Sequence, residues 1–473
     1  MLVRFKFARK LAVAMMVSSM SANASNVNGW RTGGTGVAEG AHPPVMGQPD
    51  ATIRWKTPIQ SWGNASPVRL GSQICITEEP VSVTCFDANS GQQSWTATNR
   101  FMDTLPTSER GNSEAILKTL AQDRQRQTTL QAEMGRIQRE LRRSSSDSTV
   151  QERFDAMMSE LNAIGSRQEQ YRAHVLSDEH GMIGYATPTP AVVDGNIYVL
   201  FGNGVMSKFG ENGDRKWSVF LGPPLRPMRG YHTGNAASVL VADGVVLAPF
   251  GKLRGIDPAT GRVLWTGPDY PHYGTPALAH VGDTTVVVTP DGELIDPKTG
   301  TEMGDPLAAI EFIGPVAADN RVYVIGHTRY PNKAPGAHAT AYTLTTTPDG
   351  RISATKDWER ALGKERIYAT PLVTNKRLYV LYLRGELILL DPKTGETISS
   401  IGHLPRGANS SPSPVLGGNR LVMSFDDGFV QTYEDGNELQ RIGRANLERH
   451  RATLLLDDNR IYMRGFQYLY CIE

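Results

Sequence analysis

The sequence predicts an all-β fold: an eight-bladed β-propeller of four-stranded blades, with an antiparallel α-helical coiled-coil hairpin inserted between the first two blades. Three observations predict it. A unit of short apolar strands and Gly/Pro turns recurs eight times. Tryptophan recurs at one place in that unit. The stretch from 113 to 177 abandons the strand pattern for a helical one.

The units open on Asn64-Ala65-Ser66-Pro67, Tyr185-Ala186-Thr187-Pro188, Asn235-Ala236-Ala237-Ser238, Tyr273-Gly274-Thr275-Pro276, Phe312-Ile313-Gly314-Pro315, Tyr368-Ala369-Thr370-Pro371, Asn409-Ser410-Ser411-Pro412 and Arg451-Ala452-Thr453-Leu454. Outside the insertion the steps run from 38 to 56 residues, a blade-like spacing. Runs such as Asn196–Phe201, Arg321–Ile325 and Arg377–Tyr382 are β-branched, aromatic and apolar, as strands require. Turns such as Asp257-Pro258-Ala259-Thr260-Gly261 use Pro for a fixed φ and Gly for a positive one. One four-stranded sheet cannot bury both faces alone, whereas radial stacking buries them and leaves short edges.

Trp95, Trp217, Trp265 and Trp358 fall where each outer strand should begin, and Trp55 repeats the position ahead of the first unit. The last unit stops at Tyr468-Leu469-Tyr470-Cys471 without an outer strand, so the segment around Trp55 is expected to complete it. Each Trp is a large apolar wedge with one N–H to satisfy, which suits docking of neighbouring blades.

The pattern Ile256-Asp257-Pro258-Ala259-Thr260-Gly261-Arg262-Val263-Leu264-Trp265 resembles the PQQ-like (quinoprotein-like) β-propeller repeat family. So do the opening Gly29-Trp30-Arg31-Thr32-Gly33-Gly34-Thr35-Gly36 and the ending Arg460-Ile461-Tyr462-Met463-Arg464-Gly465. That family includes quinoprotein dehydrogenases and the outer-membrane assembly factor BamB. The resemblance covers nearly all of the chain after residue 28 except residues 98 to 182, and it speaks to fold more than to function.

Basic Arg4, Lys6, Arg9 and Lys10, the apolar run Leu11–Met20 and Ala22-Asn23-Ala24 read as an export signal over residues 1–24. Residues 25–97 are then the N-terminal closing strand and first blade, 98–182 the helical insertion, and 183–473 the remaining blades. No later stretch reads as a transmembrane segment. The expected location is periplasmic or secreted. There Cys75 and Cys85, opposed across a hairpin, would form a disulfide and leave Cys471 free. A net charge of +1 gives no case for nucleic acid.

Within the insertion, Ile116, Leu120, Leu130, Met134, Ile137 and Leu141 follow 4/3 spacing, with Asp123 and Gln127 in register. Val150, Phe154, Met157, Leu161, Ile164, Tyr171 and Val175 do the same, with Gln168 in register. The short link Ser144-Ser145-Ser146-Asp147 implies antiparallel packing. Helices of about 30 residues each would project on the order of 45 Å. Arg136, Arg139, Arg142 and Arg143 make the first helix basic near its end, which suits a solvated surface, the helix dipole or an acidic partner.

The starts of the inner strands should surround the channel mouth. A ring of Asn64, Tyr185, Asn235, Tyr273, Tyr368, Asn409 and Arg451, with His232 and His272 nearby, suits a polar ring-shaped ligand. No catalytic residue and no metal ligand set is identified. The resemblance brings PQQ as the family cofactor, with carboxylate and Asn calcium ligands, an Asp base, adjacent cysteines and a Trp platform; here there is no adjacent cysteine pair and no carboxylate at a channel-entry position. The expected function is a non-catalytic scaffold or binding protein for a protein or glycan partner, with the helical hairpin as a second contact. The alternatives are a quinoprotein-like alcohol or sugar dehydrogenase, or an extracytoplasmic carbohydrate-binding module.

Overall fold

A computed structural model describes residues 29–49, 51–143, 148–176, 183–223, 235–270, 273–328, 336–402 and 409–473. The expected export signal, His232 and His272 lie outside the described residues. Among those described the chain is mostly β, with eight sheets and two α-helices. Antiparallel pairing follows chain order within each sheet, apart from Val37–Ala38 and Ile53–Pro58, which join the seventh and eighth sheets from the N-terminus, and Ile310–Glu311, which pairs with Arg321–Thr328. The first sheet is Val68–Leu70, Gln73–Glu78, Ser82–Asp87 and Gln93–Thr98. In the eighth, Leu455–Asp457, Arg460–Arg464 and Tyr468–Ile472 are completed by Ile53–Pro58, which pairs along Tyr468–Ile472.

The tryptophans explain how one sheet meets the next. Trp55, Trp95, Trp217, Trp265 and Trp358 stand on outer strands. Each indole N–H donates to a carbonyl in the outer turn of the following sheet: Ala88 at 3.0 Å, Glu211 at 2.9 Å, Pro258 at 3.1 Å, Pro297 at 3.1 Å and Pro392 at 3.0 Å. The same turns supply Gly91, Gly213, Gly261, Gly300 and Gly395, whose positive φ and missing side chain let the ring lie on the backbone. The sixth and seventh units have no such Trp, and neither has the fourth. In the fourth, Gly304 takes its place, four residues after Gly300 as Trp265 is after Gly261, and bridges backbone to backbone with Ile352 of the fifth sheet. A Cβ there would sit 2.1 Å from the Ile352 carbonyl oxygen, so only glycine permits this contact.

The N-terminal residues form a strap across the inner strands. Gly29 lies against Pro190 and Ala191 of the second sheet. Farther on, Val37–Ala38 adds a parallel strand to the inner edge of the seventh sheet, beside Leu416 and Gly417. The strap then leaves outward, held by His42 N–H to Asp458 O at 2.6 Å and Met46 N–H to Thr432 Oγ1 at 3.1 Å.

Helix α1 (Thr107–Arg143) and helix α2 (Ser148–Gln170) leave from the end of the first sheet's outer strand. They run antiparallel, as the pairs Arg126–Glu160 and Glu140–Arg153 require. Leu130, Ile137 and Ile164 are buried in the seam. The polar seam positions answer one another: Gln168 Nε2 donates to Gln127 Oε1 at 3.0 Å, and Arg167 holds Asp123 bidentately at 2.5 and 2.9 Å. The helices are unequal, 37 and 23 residues rather than about 30 each. The returning chain leaves α2 early because Arg172–His174 forms a 3-10 turn against the base. There His174 Nε2 meets Ser113 Oγ at 2.9 Å, and its ring packs on Phe101, 4.7 Å between centroids. Phe101 packs on Phe220 of the second sheet, and half-buried Asp103 pairs with Arg215. The arm therefore rests on a fixed joint.

Candidate functional site

A cavity of about 330 Å³ opens where the starts of the inner strands converge. Its position is set by a belt of hydroxyls. Ser66 N–H donates to Thr189 Oγ1, Thr189 N–H to Ser238 Oγ, Ser238 N–H to Thr275 Oγ1, Thr370 N–H to Ser413 Oγ and Ser413 N–H to Thr453 Oγ1, all at 3.0–3.1 Å. Each bond ties the start of one sheet to the start of the next. Gly314 stands in the belt's place in the fifth sheet, because the fourth sheet approaches so closely that a Cβ there would meet the Thr275 carbonyl at 1.8 Å.

Two residues before each belt position lies a wall residue: Asn64, Thr187, Ala236, Tyr273, Phe312, Tyr368, Ser411 and Arg451. Trp30 of the strap completes the lining. The structure thus brings together Asn64, Tyr273, Tyr368 and Arg451 from the sequence-predicted ring. It does not bring Tyr185, Asn235 or Asn409 there. Tyr185 packs among Val68, Val83 and Ile197. Asn235 is fully buried, its Nδ2 donating to Ala237 O. Asn409 is exposed and outside the lining. For Tyr185 and Asn409 the cause is a register slip at tandem Ser/Thr-Pro pairs; in Asn235-Ala236-Ala237-Ser238, which has no proline, the belt serine is the fourth residue of the unit rather than the third. In Thr187-Pro188-Thr189-Pro190 and Ser411-Pro412-Ser413-Pro414 the second hydroxyl, not the first, joins the belt.

The walls are mostly aromatic and apolar. Phe312 and Tyr368 meet edge to face, 5.5 Å between centroids. Phe312 also carries φ +70°, a strained backbone for a bulky side chain. The polar groups are already organised. Asn64 Nδ2 donates to Ile183 O at 3.1 Å and to Thr187 Oγ1 at 3.3 Å. Asp426, behind the wall, accepts from Ser411 Oγ at 3.0 Å and pairs with Arg451 at 3.4 Å. Arg366 donates to Tyr368 Oη at 2.9 Å. Beside the rim, Glu79 Oε1 accepts from Ala186 N–H at 2.6 Å. Burial pushes its carboxyl up to about 7, against the pull of the Ala186 and Tyr185 amides and the Arg464 guanidinium. His450 is fully buried with Nδ1 on Glu448 O, and burial lowers its pKa.

Cys75 and Cys85 face each other on adjacent strands of the first sheet and are joined by a disulfide; Cys471 is a buried free thiol.

The fold and site define a β-propeller-like protein with an aromatic-walled axial cavity. Residues 168–296 match the family model described as "Outer membrane protein assembly factor BamB". The BamB of Bordetella pertussis is 26% identical over 279 residues, which cover 55% of this chain and 64% of that relative, so the match spans under two thirds of the relative's length. Two solved structures share the fold. BamB from Moraxella catarrhalis superposes with a TM-score of 0.52 at 13% identity, covering 89% of this chain and 97% of its own. A europium-containing methanol dehydrogenase gives 0.51 at 11%, covering 94% and 98%. The chain resembles the PQQ-like repeat family in sequence over residues 168–296, and its likeness to the two solved structures shows a shared fold.

The cavity lining does not fit the calcium–quinone set of that family's dehydrogenases. None of its residues is a carboxylate, and calcium takes several oxygen ligands. Among the described residues no group of three or more His, Cys, Asp or Glu could hold a metal. The disulfide joins cysteines separated by 10 in sequence rather than adjacent ones.

Proposed function

We propose that this chain is a periplasmic or secreted, non-catalytic binding scaffold for a protein partner. In this reading the eight sheets are the blades of one propeller, and α1 and α2 form a coiled-coil arm that makes a second contact. The observation that carries it is the joint of the arm. The chain returning from α2 enters the cavity wall at Ile183 and Thr187, and the base is locked by the Phe101, His174 and Phe220 stack. A rigid projection beside a pre-formed cavity holds two contact surfaces in one orientation, which lowers the ordering cost of binding. The kinship with BamB, an outer-membrane assembly factor by name, supports a protein partner and an extracytoplasmic setting. No helix among the described residues is long and apolar enough to cross a membrane.

The test is site-specific photo-crosslinking of the full chain in cells. Probes at exposed Arg139 and Glu152 on the arm are compared with a probe at exposed Lys252. One defined protein adduct from the arm probes, absent from Lys252, is the expected result. Dye-linked alcohol or sugar oxidation by the purified chain on addition of PQQ and Ca²⁺ would overturn the non-catalytic reading. The aromatic walls and the strained Phe312 favour one second reading, a glycan ring stacked in the cavity. Saturable oligosaccharide binding lost in Tyr273→Ala would support it.

A further inference from the structure

Two arginines are almost wholly buried, and their surroundings differ in kind. Arg464 is 1% exposed, and the carboxylates of Glu78 and Glu79 attract its guanidinium. Arg31, in the strap, is 2% exposed and faces no acid among the described residues. Its Nε and Nη1 are buried without a hydrogen-bond partner, and Nη2 makes one long contact, 3.5 Å, to Thr35 O.

The strap is shaped to hold that side chain inward. Arg31 and Thr32 both take positive φ, +48° and +52°. The turn closes through Gly34 N–H to Trp30 O at 2.7 Å and Gly36 N–H to Arg31 O at 2.8 Å. The guanidinium lies over Gly36, where any Cβ would stand 2.5 Å from Nη2. A backbone strained at two non-glycine residues is stabilised by its surroundings, not by itself. Both ends are fixed, since Gly29 lies on the second sheet and Leu416 N–H of the seventh donates to Gly36 O at 2.9 Å. An unpaired buried guanidinium is among the costliest groups a fold can carry, because it cannot lose its proton at physiological pH.

We propose that Arg31 is the core of a buried anion-binding site on the inner side of the sheet array, taking a compact monoanion: a halide or a single carboxylate group. Nε and Nη1 are the two open donors, and because their N–H bonds diverge the anion sits on one of them, as a single halide or one carboxylate oxygen can. Burial lowers the arginine pKa to about 9, and no acid among the described residues opposes it. The neighbouring Trp30 lines the axial cavity, so the anion would hold in place the strap that forms part of that wall.

The test is thermal unfolding of the full chain at constant ionic strength in sodium gluconate, with bromide or acetate replacing gluconate. A ligand bound only by the folded state raises the midpoint saturably. The expected result is such a rise with bromide, acetate or both; which anion acts identifies the source. Arg31→Met should abolish the saturable rise while folding, since it removes the buried charge. A second measurement needs no variant: crystals grown in bromide should show an anomalous peak within hydrogen-bond distance of Nε or Nη1. Absence of that peak together with an anion-independent midpoint overturns the proposal. So does a wild-type anion response retained by Arg31→Met.

Discussion

If the tryptophans dock each sheet on the turn of the next, the glycine beneath each ring should be harder to replace than a glycine that merely needs positive φ. Gly261 and Gly244 make a matched pair, because both have φ +77°. An added Cβ at Gly244 meets nothing within 4 Å, whereas at Gly261 it would lie 2.7 Å from Cδ2 of Trp217. Gly244→Ala therefore pays only the left-handed penalty, about 1–2 kcal/mol. Gly261→Ala adds overpacking of about 1–3 kcal/mol, for a total of about 2–5 kcal/mol. Trp217 is 9% exposed, so the ring has little room to retreat. Urea unfolding followed by indole fluorescence and far-UV circular dichroism measures both variants. The double variant Gly261→Ala/Trp217→Ala closes a cycle whose coupling should recover the overpacking, about 1–3 kcal/mol. Equal losses for Gly244→Ala and Gly261→Ala, or a cycle with no coupling, would refute docking through the Trp–Gly contact.

Three further outcomes follow from the geometry. Glu79 has a folded pKa near 7 against an ordinary 4.5, so the folded state holds its proton more tightly than the unfolded state. Its stabilising contribution is full below pH 4.5 and is lost as pH rises to 7, by about 3 kcal/mol; unfolding free energies across that window should flatten by this amount in Glu79→Gln. The Cys75–Cys85 link closes a short loop and should contribute roughly 2–3 kcal/mol, read as the difference between the parent and Cys75→Ala/Cys85→Ala, with a two-dalton peptide mass change on reduction as the check on pairing. Replacing residues 105–180 with a short Gly/Ser link removes His174 and Leu176, which pack on Phe101 and on the core beneath the joint, so the melting midpoint should fall by a few degrees while the sheets still fold; complete failure to fold would mean the arm is part of the core.

Much of the architecture is legible because its signals are local and physical. A Trp that must find a carbonyl and a glycine that must lie beneath it recur at fixed spacing, and both survive in the sequence. The helical stretch announces itself by its period, and its polar seam residues Asp123, Gln127 and Gln168 find partners across the seam. The unequal helix lengths were not legible, because the 3-10 turn at Arg172–His174 depends on what lies at the base of the arm. The strap was not legible either. Its parallel pairing to Leu416 and Gly417 joins residues far apart in sequence, with no local pattern to mark it.

The cavity shows most clearly where a sequence reading slips and what would have held it. Proline after a hydroxyl residue is a conspicuous mark, and two units carry it twice. The belt position is marked instead by its distance to the first hairpin. Ser66, Thr189, Ser238, Gly314, Ser413 and Thr453 each stand five residues before Gly71, Asp194, Asp243, Asp319, Gly418 and Asp458, all with positive φ. That interval is one short strand, and a strand's length is constrained by its pairing where the residues before it are not. Counting back from the turn places Thr187, Ala236 and Ser411 on the wall in place of Tyr185, Asn235 and Asn409. The corrected wall is less polar, with Ala236 for one asparagine and Ser411 for the other. Its chemistry moves away from a ring of hydrogen-bond donors and toward an apolar, aromatic seat with polar groups already engaged at its edge. Such a seat gains affinity from burying an apolar or ring-shaped group rather than from activating one, and on that ground the binding reading stands ahead of the catalytic one.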